Sequence, residues 1–550
     1  MVANSNVNGN SFGLGFRLDD RVDGAASGRA PGPSSRSRPM SETVNGLRER
    51  LAGVLPSSLR PGTAVTGKTT KHRWYDSFDW RLHRAGLQLE HLDIGTGPLL
   101  RLRSVAGEND RQVVAEQPLP FASPVRFPQD LPAGRVRDAI SDRLWPRALL
   151  SLGEVSAAQA MLPILDAEGK TVVRLRVETP RLLGRSADPL PPRVEVLPLR
   201  GYTAQAEKVA ASLAAASPDS VADGQLTAVL AAQGRVAGDY TGKLSIDVAS
   251  GQLAADALTA ILRHLQATID ANVDGTVRRI DTEFLHDLRV AVRRARSAVK
   301  LLAGVLDPAV EQHLADELRW LGAVTGPPRD LDVLHLLLEE IAPTWPPGAA
   351  DDLAMFGDLL SAQANRGYAA LRRALRSERY SELRTVILTA QGVGPLSRTP
   401  VERLGAKRLR RITTRVVREG NMISDASPGE ALHDLRKRCK ELRYLLELLA
   451  PVFSTDRHTR VVKELKVLQE TLGDFQDGEV QRDAVRGAAA QLLHTRPADD
   501  ALALTLLAMG RLAGEMDSRQ AQARAAFHDR WVRFTAPTNM ADLEALGGRR

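Results

Sequence analysis

Leu285-His286-Asp287-Leu288-Arg289 recurs 147 residues later as Leu432-His433-Asp434-Leu435-Arg436. The same offset holds without a gap as far as Asp330, which matches Asp477. A register kept over this length indicates an internal duplication and not a chance similarity. The surrounding residues have apolar positions at three- and four-residue spacing, which is typical of helices. We therefore predict two copies of a helical hairpin unit that pack against each other around a pseudo-two-fold axis.

One face of each duplicated helix is basic. At about 100° per residue, four side chains of each copy fall within about 80° of arc, and apolar residues occupy the other side. The two basic stripes consist of His286, Arg289, Arg293 and Arg296 in the first copy and of His433, Arg436, Lys440 and Arg443 in the second, with Lys437 adjacent. Repetition at identical offsets favours an anionic ligand over the alternative, which is a simple solvated helix face.

A third basic stretch precedes the second copy, between Glu402 and Glu419. Its seven cations are Arg403, Lys407, Arg408, Arg410, Arg411, Arg415 and Arg418. Like charges on adjacent helical turns repel one another, which lowers the stability of the helix unless solvent or an anion screens them. This stretch is consistent with the same anionic ligand.

Composition limits the class of protein. Its 550 residues exceed what one hydrophobic core usually organises, and 43% hydrophobic residues exclude wholesale disorder. The 74 basic residues exceed the 66 acidic ones, so the net charge is +8. The single cysteine, Cys439, excludes an intramolecular disulfide and a thiolate metal site, and we expect it to be a small buried residue. No long apolar run or export signal is recognisable, so we expect a cytoplasmic protein without membrane contact.

Changes in composition and in the spacing of apolar residues along the chain predict an α+β multidomain protein. A β-rich domain with mainly antiparallel strands is followed by an all-α domain, and segments rich in Gly, Ser and Pro surround them. The expected boundaries are a disordered tail over 1–59 with a short helix over 44–55 as its exception, a β-rich domain over 66–213, a linker over 214–251, a duplicated helical domain over 253–535 and a flexible tail over 536–550. Within the helical domain we expect a break at Gly326-Pro327-Pro328.

The helical half resembles the CHAD family, the conserved-histidine α-helical domain. The resemblance is carried by Leu285–Val290, by Arg329-Asp330-Leu331-Asp332 and by His433–Lys437, in the order of the family's motifs. It implies two four-helix bundles with pseudo-two-fold symmetry and a basic central surface or pore that binds inorganic polyphosphate.

The residues carried over from the family as polyphosphate-binding are His286, Arg289, Arg293, Arg296, His433, Arg436, Lys437, Lys440 and Arg443. Arg329 is an asymmetric candidate, because the second copy lacks it, and we expect Lys407, Arg411, Lys463 and Lys466 to extend the same surface. For His286 and His433 three roles stay open, namely a local hydrogen bond, donation to a phosphate oxygen and metal ligation together with Asp287 and Asp434. Asp330 and Asp477 are interpreted as helix caps or as partners that orient neighbouring arginines. We expect no catalytic residue, no metal and no cofactor.

The β-rich segment resembles the CYTH family of triphosphate tunnel proteins. The signs are Trp74-Tyr75-Asp76-Ser77, Leu100–Arg103 and Val194-Glu195-Val196. The resemblance implies catalysis through a Glu-x-Glu-x-Lys motif, which is absent upstream of Trp74. Arg174 and Arg176 stand where carboxylates are expected, so we predict an inactive domain.

Non-catalytic binding of inorganic polyphosphate is the function that the sequence favours. The enzyme alternative is metal-dependent hydrolysis of triphosphate in the β-rich domain. The binding alternatives are nucleic acid, which ranks lower because aromatic residues make up only 4% of the chain, and a protein docked on the basic surface. Association with polyphosphate granules and the oligomeric state stay open.

Overall fold

The computed structural model describes residues 16–17, 40–93, 97–105, 112–184, 190–216, 224–346, 348–453 and 455–548. By internal contacts the chain divides into two compact units, Met1–Thr241 and Gly242–Arg550. Within these described ranges, no helix combines the length and the apolar character that a membrane crossing needs.

An antiparallel sheet forms the centre of the first unit, as the strand patterns predict. Its strands are β1 (Phe16–Arg17), β2 (Arg60–Pro61), β3 (Val65–Thr66), β4 (Thr70–Asp76), β5 (Leu87–Asp93), β6 (Pro98–Ser104), β7 (Val113–Pro118), β8 (Leu150–Leu165), β9 (Thr171–Leu182) and β10 (Arg193–Pro198). Its helices are α1 (Met40–Val54), α2 (Arg81–Arg84), α3 (Arg135–Leu144), α4 (Thr203–Ala216) and α5 (Gln225–Ala232). The strand order is β1-β10-β9-β8-β4-β5-β6-β7, and β2 and β3 pair with β8.

The period of two in the strand sequences decides which face of the sheet is buried. Val173, Leu175 and Val177 alternate along β9 and are fully buried in one core with residues of α1 and α4. The intervening side chains, such as Arg174 and Arg176, point to the opposite face. The mainly antiparallel β domain predicted from the sequence is therefore confirmed.

The folded part of the first unit begins earlier than the predicted tail allows. Helix α1 starts at Met40, and its Val44, Leu47 and Leu51 are buried against the sheet. Their spacing of three and four residues is enough for an amphipathic helix. The part of the predicted tail after Met40 is thus folded, whereas residues 1–15 and 18–39 lie outside the described residues.

The described part of the predicted linker over 214–251 contains a helix and buried residues, while residues 217–223 lie outside the described residues. Helix α5 lies within it, and Val229 and Leu230 are buried in the first unit. Val248 is buried in the second unit, beyond the boundary between the units at Thr241. These few apolar residues are widely spaced in a Gly-rich segment, so their burial was not apparent from local composition.

The second unit is helical and shows the duplication directly. Helices α11, α12 and α13 begin 147 residues after α6, α7 and α8, in agreement with the repeat in the sequence. The first copy contains α6 (Ala254–Arg278), α7 (Thr282–Leu301), α8 (Pro308–Ile341), α9 (Ala354–Leu375) and α10 (Glu378–Thr389). The second contains α11 (Val401–Asn421), α12 (Gly429–Leu448), α13 (Thr455–Thr495), α14 (Asp500–Phe534) and α15 (Pro537–Leu546).

The predicted break at Gly326-Pro327-Pro328 is wrong, because α8 runs through both prolines. Each proline removes a backbone donor, which normally weakens a helix. The surrounding helices pack closely on this turn, where Thr325, Gly326 and Pro328 are buried. Arg289 of α7 donates to Gly322 O at 3.1 Å, and Gly367 of α9 lies close to Pro328. Packing from neighbouring helices thus keeps continuous a helix that local propensity would end.

The predicted flexible tail over 536–550 is wrong for its described part, because α15 packs on the helical core. Leu543 and Leu546 are buried, and Asp542 accepts a hydrogen bond from Arg460 Nε at 2.8 Å. Two apolar residues three apart suffice to anchor a short helix when a larger core already exists. Residues 549–550 lie outside the described residues.

The two copies meet where α7 packs against α12. Arg294 Nη2 lies 3.1 Å from Glu447 Oε2, and Lys300 Nζ lies 3.1 Å from Glu441 Oε1. In the repeat, position 294 corresponds to 441 and position 300 to 447, so the two ion pairs are equivalents of each other. Such reciprocal pairing is the signature of a two-fold axis, here passing between the two helices.

The two equivalent ion pairs are expected to differ in their contribution to stability. Arg294 and Glu447 are largely buried, whereas Lys300 is exposed. Glu447→Gln leaves Arg294 with a weaker partner and should lower the free energy of unfolding by about 2 kcal/mol. Glu441→Gln should cost less than about 1 kcal/mol. Urea unfolding of the two variants tests this, and equal losses would contradict the difference in burial.

Candidate functional site

The basic stripes lie beside the packed faces of α7 and α12. Leu288 and Val292 of α7 and Leu435 and Leu442 of α12 are buried in the core. At the start of α7, the Asp281 side chain accepts hydrogen bonds from the backbone N–H groups of the first turn. The helix ends and apolar faces therefore fix the direction in which the basic side chains leave each helix.

Arg289 is held between α7 and α8. Its Nη1 donates to Gly322 O at 3.1 Å, and its Nη2 lies 3.8 Å from Asp330 Oδ1. The guanidinium passes close to Gly326, where a Cβ would lie 3.0 Å from Arg289 Nη1 and would push the side chain slightly aside. Burial lowers the pKa of Arg289, the charge of Asp330 opposes the shift and that of Arg293 increases it. The guanidinium is thus positioned in a crowded cationic environment.

The second copy repeats this ion pair at the equivalent positions. Arg436 Nη2 donates to Asp477 Oδ1 at 3.1 Å. Asp330 and Asp477 lie inside α8 and α13, so the interpretation as helix caps is wrong. The alternative interpretation, that each carboxylate orients a neighbouring arginine, is the one that agrees with these distances.

The two stripes converge at Arg293 and Lys440, which are equivalent positions of the repeat. Burial, followed by the positive charges of Arg436 and Arg293, lowers the pKa of Lys440 to about 8. Helix α7, which carries Arg293, packs directly against α12, which carries Lys440, so the two stripes are brought together at this contact. Arg293 Nε is buried, and no hydrogen-bond partner for it occurs among the described residues. These side chains form one cationic cluster shared by both copies, comprising Arg289, Arg293, Arg436 and Lys440.

Other stripe residues have partners of their own. Arg443 Nε donates to Glu447 Oε1 at 2.6 Å, and Lys437 Nζ donates to Asp434 Oδ1 at 3.1 Å. Although burial opposes the shift, hydrogen bonding and charge from Arg443 and Arg294 hold the pKa of Glu447 below its usual range. Arg443 therefore contributes a guanidinium that is already partly neutralised.

The two histidines lie at the outer parts of the stripes. His433 Nδ1 and Gln476 Oε1 form a hydrogen bond, and His286 is partly buried on α7. Arg296 is exposed near the end of its stripe. The local hydrogen bond predicted as one role for the histidines is thus present at His433, and its ring is oriented by an amide.

Arg329 holds the start of α7 in place. Its Nη1 donates to Thr282 O at 3.0 Å, and its Nη2 lies 3.5 Å from Glu283 Oε1. Nearby, the buried Asp332 accepts a hydrogen bond from the Tyr368 hydroxyl at 2.6 Å, and burial raises the pKa of Asp332 to about 6. The structure thus gives Arg329 and Asp332 contacts that connect helices, and the second copy has Gln476 and Glu479 at these positions.

The third basic stretch forms most of α11 and is only partly neutralised. Arg415 Nε lies 3.6 Å from Glu419 Oε1, and Arg408 Nη2 donates to Ala303 O at 3.0 Å. Lys407 and Arg411 are exposed on α11, as is Lys466 on α13. Among the hydrogen bonds and ion pairs of the described residues, none joins Lys407, Arg411 or Lys466 to the cationic cluster.

A groove of about 610 Å³ adjoins the cluster between α8, α13 and α14. Its charged lining residues are Arg329, Arg519, Arg530, Glu340, Asp474 and Asp477. Arg519 Nη2 also pairs with Glu340 Oε1 at 3.2 Å. Equal numbers of cations and carboxylates give the groove no net preference for an anion.

The strand register places four carboxylates on one face of the sheet in the first unit, three of which the sequence did not reveal. In direct cross-strand positions, Glu90 and Glu116 flank Arg101, Arg176 faces Glu195 and Gln159 faces Glu178. The contacts are Arg101–Glu116 at 2.5 Å, Arg103–Glu90 at 3.1 Å, Arg176–Glu195 at 2.8 Å and Gln159–Glu178 at 2.7 Å. Each carboxylate thus contacts an arginine or an amide.

A divalent metal needs several converging oxygen ligands. Within the described part of the chain, no group of three or more Asp, Glu, His or Cys side chains is arranged to hold one. The sheet face therefore does not fit the metal site that the CYTH resemblance implies. The same holds for His286 and His433 with their neighbouring aspartates.

Residues 257–486 match the family model of the CHAD domain. This range contains both basic stripes, both Arg–Asp pairs and the contact between α7 and α12. Residues 257–486 form a CHAD domain.

Two curated relatives from Mycobacterium tuberculosis match the chain, one from strain CDC 1551 / Oshkosh and one from strain ATCC 25618 / H37Rv. Each is named an uncharacterized protein and is 32% identical over 224 residues, which cover 38% of this chain and 41% of the relative. The chain thus spans about two fifths of the length of the curated relatives that it matches.

Among the solved structures that match the chain are the following three, with TM-scores below 0.5. The CHAD domain of the plant Ricinus communis is 24% identical with a TM-score of 0.42, covering 56% of this chain and 96% of that chain. PptA from Streptomyces chartreusis is 19% identical with a TM-score of 0.41, covering 51% and 99%. A putative adenylate cyclase from Bacillus halodurans is 13% identical with a TM-score of 0.23, covering 37% and 89%.

The lowered pKa of Lys440 predicts a pH-dependent effect on the stability of the CHAD domain. With a pKa of about 8 in the folded state and about 10.4 when unfolded, the charged ammonium destabilises the fold fully below pH 8. This penalty declines between pH 8 and about 10.4, where the unfolded chain binds the extra proton. Lys440→Met should therefore raise the free energy of unfolding at pH 7 by roughly 1 to 3 kcal/mol.

Urea unfolding of the wild type and of Lys440→Met at pH 7 and pH 10 checks this expectation. The gain should be much smaller at pH 10. Lys437→Met, at an exposed position on the same helix, is the matched control and should have little effect at either pH. A gain that did not depend on pH would show that packing, and not charge, is responsible.

Proposed function

We propose that the CHAD domain binds inorganic polyphosphate without chemical turnover, through the cationic cluster in which its two stripes meet. The observation that carries this proposal is the packing of α7 against α12, which brings Arg293 and Lys440 of the two copies together. In agreement with this, burial and then the charges of Arg436 and Arg293 lower the pKa of Lys440. Cations brought together in this way repel one another, and a bound anion relieves that repulsion.

We also propose a cytoplasmic location for the protein, because its single cysteine, Cys439, is buried and forms no disulfide.

A chain of phosphates suits the cluster for two physical reasons. Arginine donates paired hydrogen bonds to phosphate oxygens, and lysine supplies a compact positive charge. A linear polyanion also places successive charges along both stripes and releases its condensed counterions on binding. The affinity should therefore depend strongly on salt, with a slope of about −0.7 in log affinity per phosphate neutralised.

The aromatic side chains near the stripes do not favour nucleic acid. Single-strand binders stack bases on exposed aromatic rings. The ring of Trp320 is covered by the Arg379 guanidinium, 4.2 Å from its centroid, and Tyr444 packs against the hydrophobic core. A base-free phosphate chain therefore fits these surroundings better than RNA or DNA.

The double variant Arg293→Met/Lys440→Met tests the proposed site. Methionine retains the aliphatic part of each side chain while removing both positive charges, so the packing should change little. We expect at least a tenfold loss of affinity for long-chain polyphosphate at 0.1 M salt, and a shallower salt dependence. Both are measurable by titration calorimetry or fluorescence anisotropy.

The matched control is Arg278→Met/Arg486→Met, which removes two exposed arginines outside the stripes. It should change the affinity less than about threefold. Equal losses in both variants would contradict a localised site. Displacement of bound polyphosphate by RNA of equal charge as readily as by free polyphosphate would favour nucleic acid instead.

We infer that the β-rich unit is a CYTH-like domain that no longer catalyses triphosphate hydrolysis. The contacts of its carboxylates with Arg101, Arg103, Arg176 and Gln159 support this inference. A carboxylate that already neutralises an arginine is a poor ligand for a divalent cation.

The full chain is accordingly expected to release no phosphate from inorganic triphosphate with Mg²⁺ or Mn²⁺. A colorimetric phosphate assay checks this, with the metal chelated in a parallel sample as the blank. Turnover that disappears on chelation would overturn the inference, and it would leave the proposal for the CHAD domain unaffected.

A further inference from the structure

The duplication has kept one ion pair in both copies, beside the cationic cluster. Arg289 Nη2 lies 3.8 Å from Asp330 Oδ1, and Arg436 Nη2 lies 3.1 Å from Asp477 Oδ1. Each carboxylate thus occupies a position next to a stripe guanidinium, which is where a phosphate oxygen would bind.

The two partners of each pair differ in their freedom to move. The side chains of Arg289 and Arg436 are 21% and 19% exposed, whereas those of Asp330 and Asp477 are 65% and 58% exposed. Packing fixes the guanidinium groups, and Arg289 is also held by Gly322 O. The aspartates can therefore turn into solvent without disturbing the core, and the arginines stay in place.

The two carboxylates also affect each other. Partial desolvation raises the pKa of Asp330, the charges of Arg289, Arg293 and Arg329 oppose the shift, and the negative charge of Asp477 adds a smaller increase. Two carboxylates that interact with each other are unfavourable unless cations compensate for their charge. The arginines provide that compensation in the free protein, so the arrangement is complete without any ligand.

We propose that Asp330 and Asp477 are built-in competitors of the anion, and that they set the minimum number of phosphates a chain needs in order to bind. This inference rests on the proposed function of the CHAD domain. An entering polyanion must displace both carboxylates from Arg289 and Arg436. The cost of that displacement is the same for every ligand, whereas the favourable interaction grows with the number of phosphates. Orthophosphate and diphosphate would therefore be excluded while long chains bind.

The double variant Asp330→Asn/Asp477→Asn removes both competitors at exposed positions. We expect its affinity for long-chain polyphosphate to rise about tenfold, and triphosphate to bind measurably where the wild type shows weak or no binding. Two arginines that lose their internal partners attract two further counterions, so the salt slope should steepen by about 1.4.

The matched control is Asp316→Asn/Asp483→Asn, which removes one carboxylate from each of the same two helices. Asp316 pairs with Arg319 and Asp483 with Arg482, and both aspartates are exposed. The change in net charge is identical. The affinity of this control for polyphosphate should stay within about threefold of the wild-type value. Its salt slope should differ from that of the wild type by less than about 0.5.

The outcomes separate the two proposals. If the wild type binds long chains and both double variants strengthen binding equally, the inference is overturned and the proposed function stands. If neither the wild type nor the variants bind polyphosphate, the proposed function fails and the inference falls with it. The single variants Asp330→Asn and Asp477→Asn perturb the fold less than the double variant does. Each should raise the logarithm of the affinity by about half as much as the double variant.

Discussion

The packing of α7 against α12 is the contact on which the helical unit depends. It brings together the two helices that carry the basic stripes, and it is fixed by a shared apolar core and by the Arg294–Glu447 ion pair. Because this pair is largely buried, its geometry is constrained more tightly than that of a surface ion pair. The positions of Arg293 and Lys440 relative to each other follow from this contact, since each lies beside it on its own helix.

The same contact explains why cations accumulate there at a cost to stability. Two helices of one sequence pattern, related by a two-fold axis, bring equivalent residues face to face. A basic stripe on one copy therefore meets a basic stripe on the other. A monomeric fold selected for stability alone would replace such residues, because the repulsion weakens the native state. That they are present in both copies is consistent with a ligand of opposite charge, and the Arg–Asp pairs show how the free protein limits the repulsion.

Much of this arrangement was predictable from the sequence, because the repeat is a one-dimensional signal. The offset between Leu285–Arg289 and Leu432–Arg436 correctly located the duplicated helices and the faces of their stripes. Local composition failed where tertiary packing decides the outcome. Helix α8 continues through Pro327 and Pro328 where α7 and α9 pack against it, and α15 is anchored by Leu543 and Leu546 on a core built by distant segments.

The sequence predicts the site residues from their residue types and their equivalent positions in the repeat. The residues that they contact follow only from the three-dimensional structure. Nothing in the spacing shows that Glu447 faces Arg294, or that Glu90 and Glu116 share a sheet face with Arg101. These contacts depend on helix crossing and on strand order. The sequence leaves open whether Asp330 caps a helix or orients a neighbouring arginine, and the structure distinguishes the two by pairing it with Arg289.

The distribution of charge across the two-fold axis has a consequence for how the repeats recognise each other. Helix α7 supplies both cations of the reciprocal pairs, and α12 supplies both anions. Two first copies placed in the same geometry would bring Arg294 opposite Lys300, and two second copies would oppose Glu441 with Glu447. The two halves of the duplication thus carry opposite charges at this contact and complement each other. Association of a half with a second copy of itself in the same geometry is therefore electrostatically disfavoured.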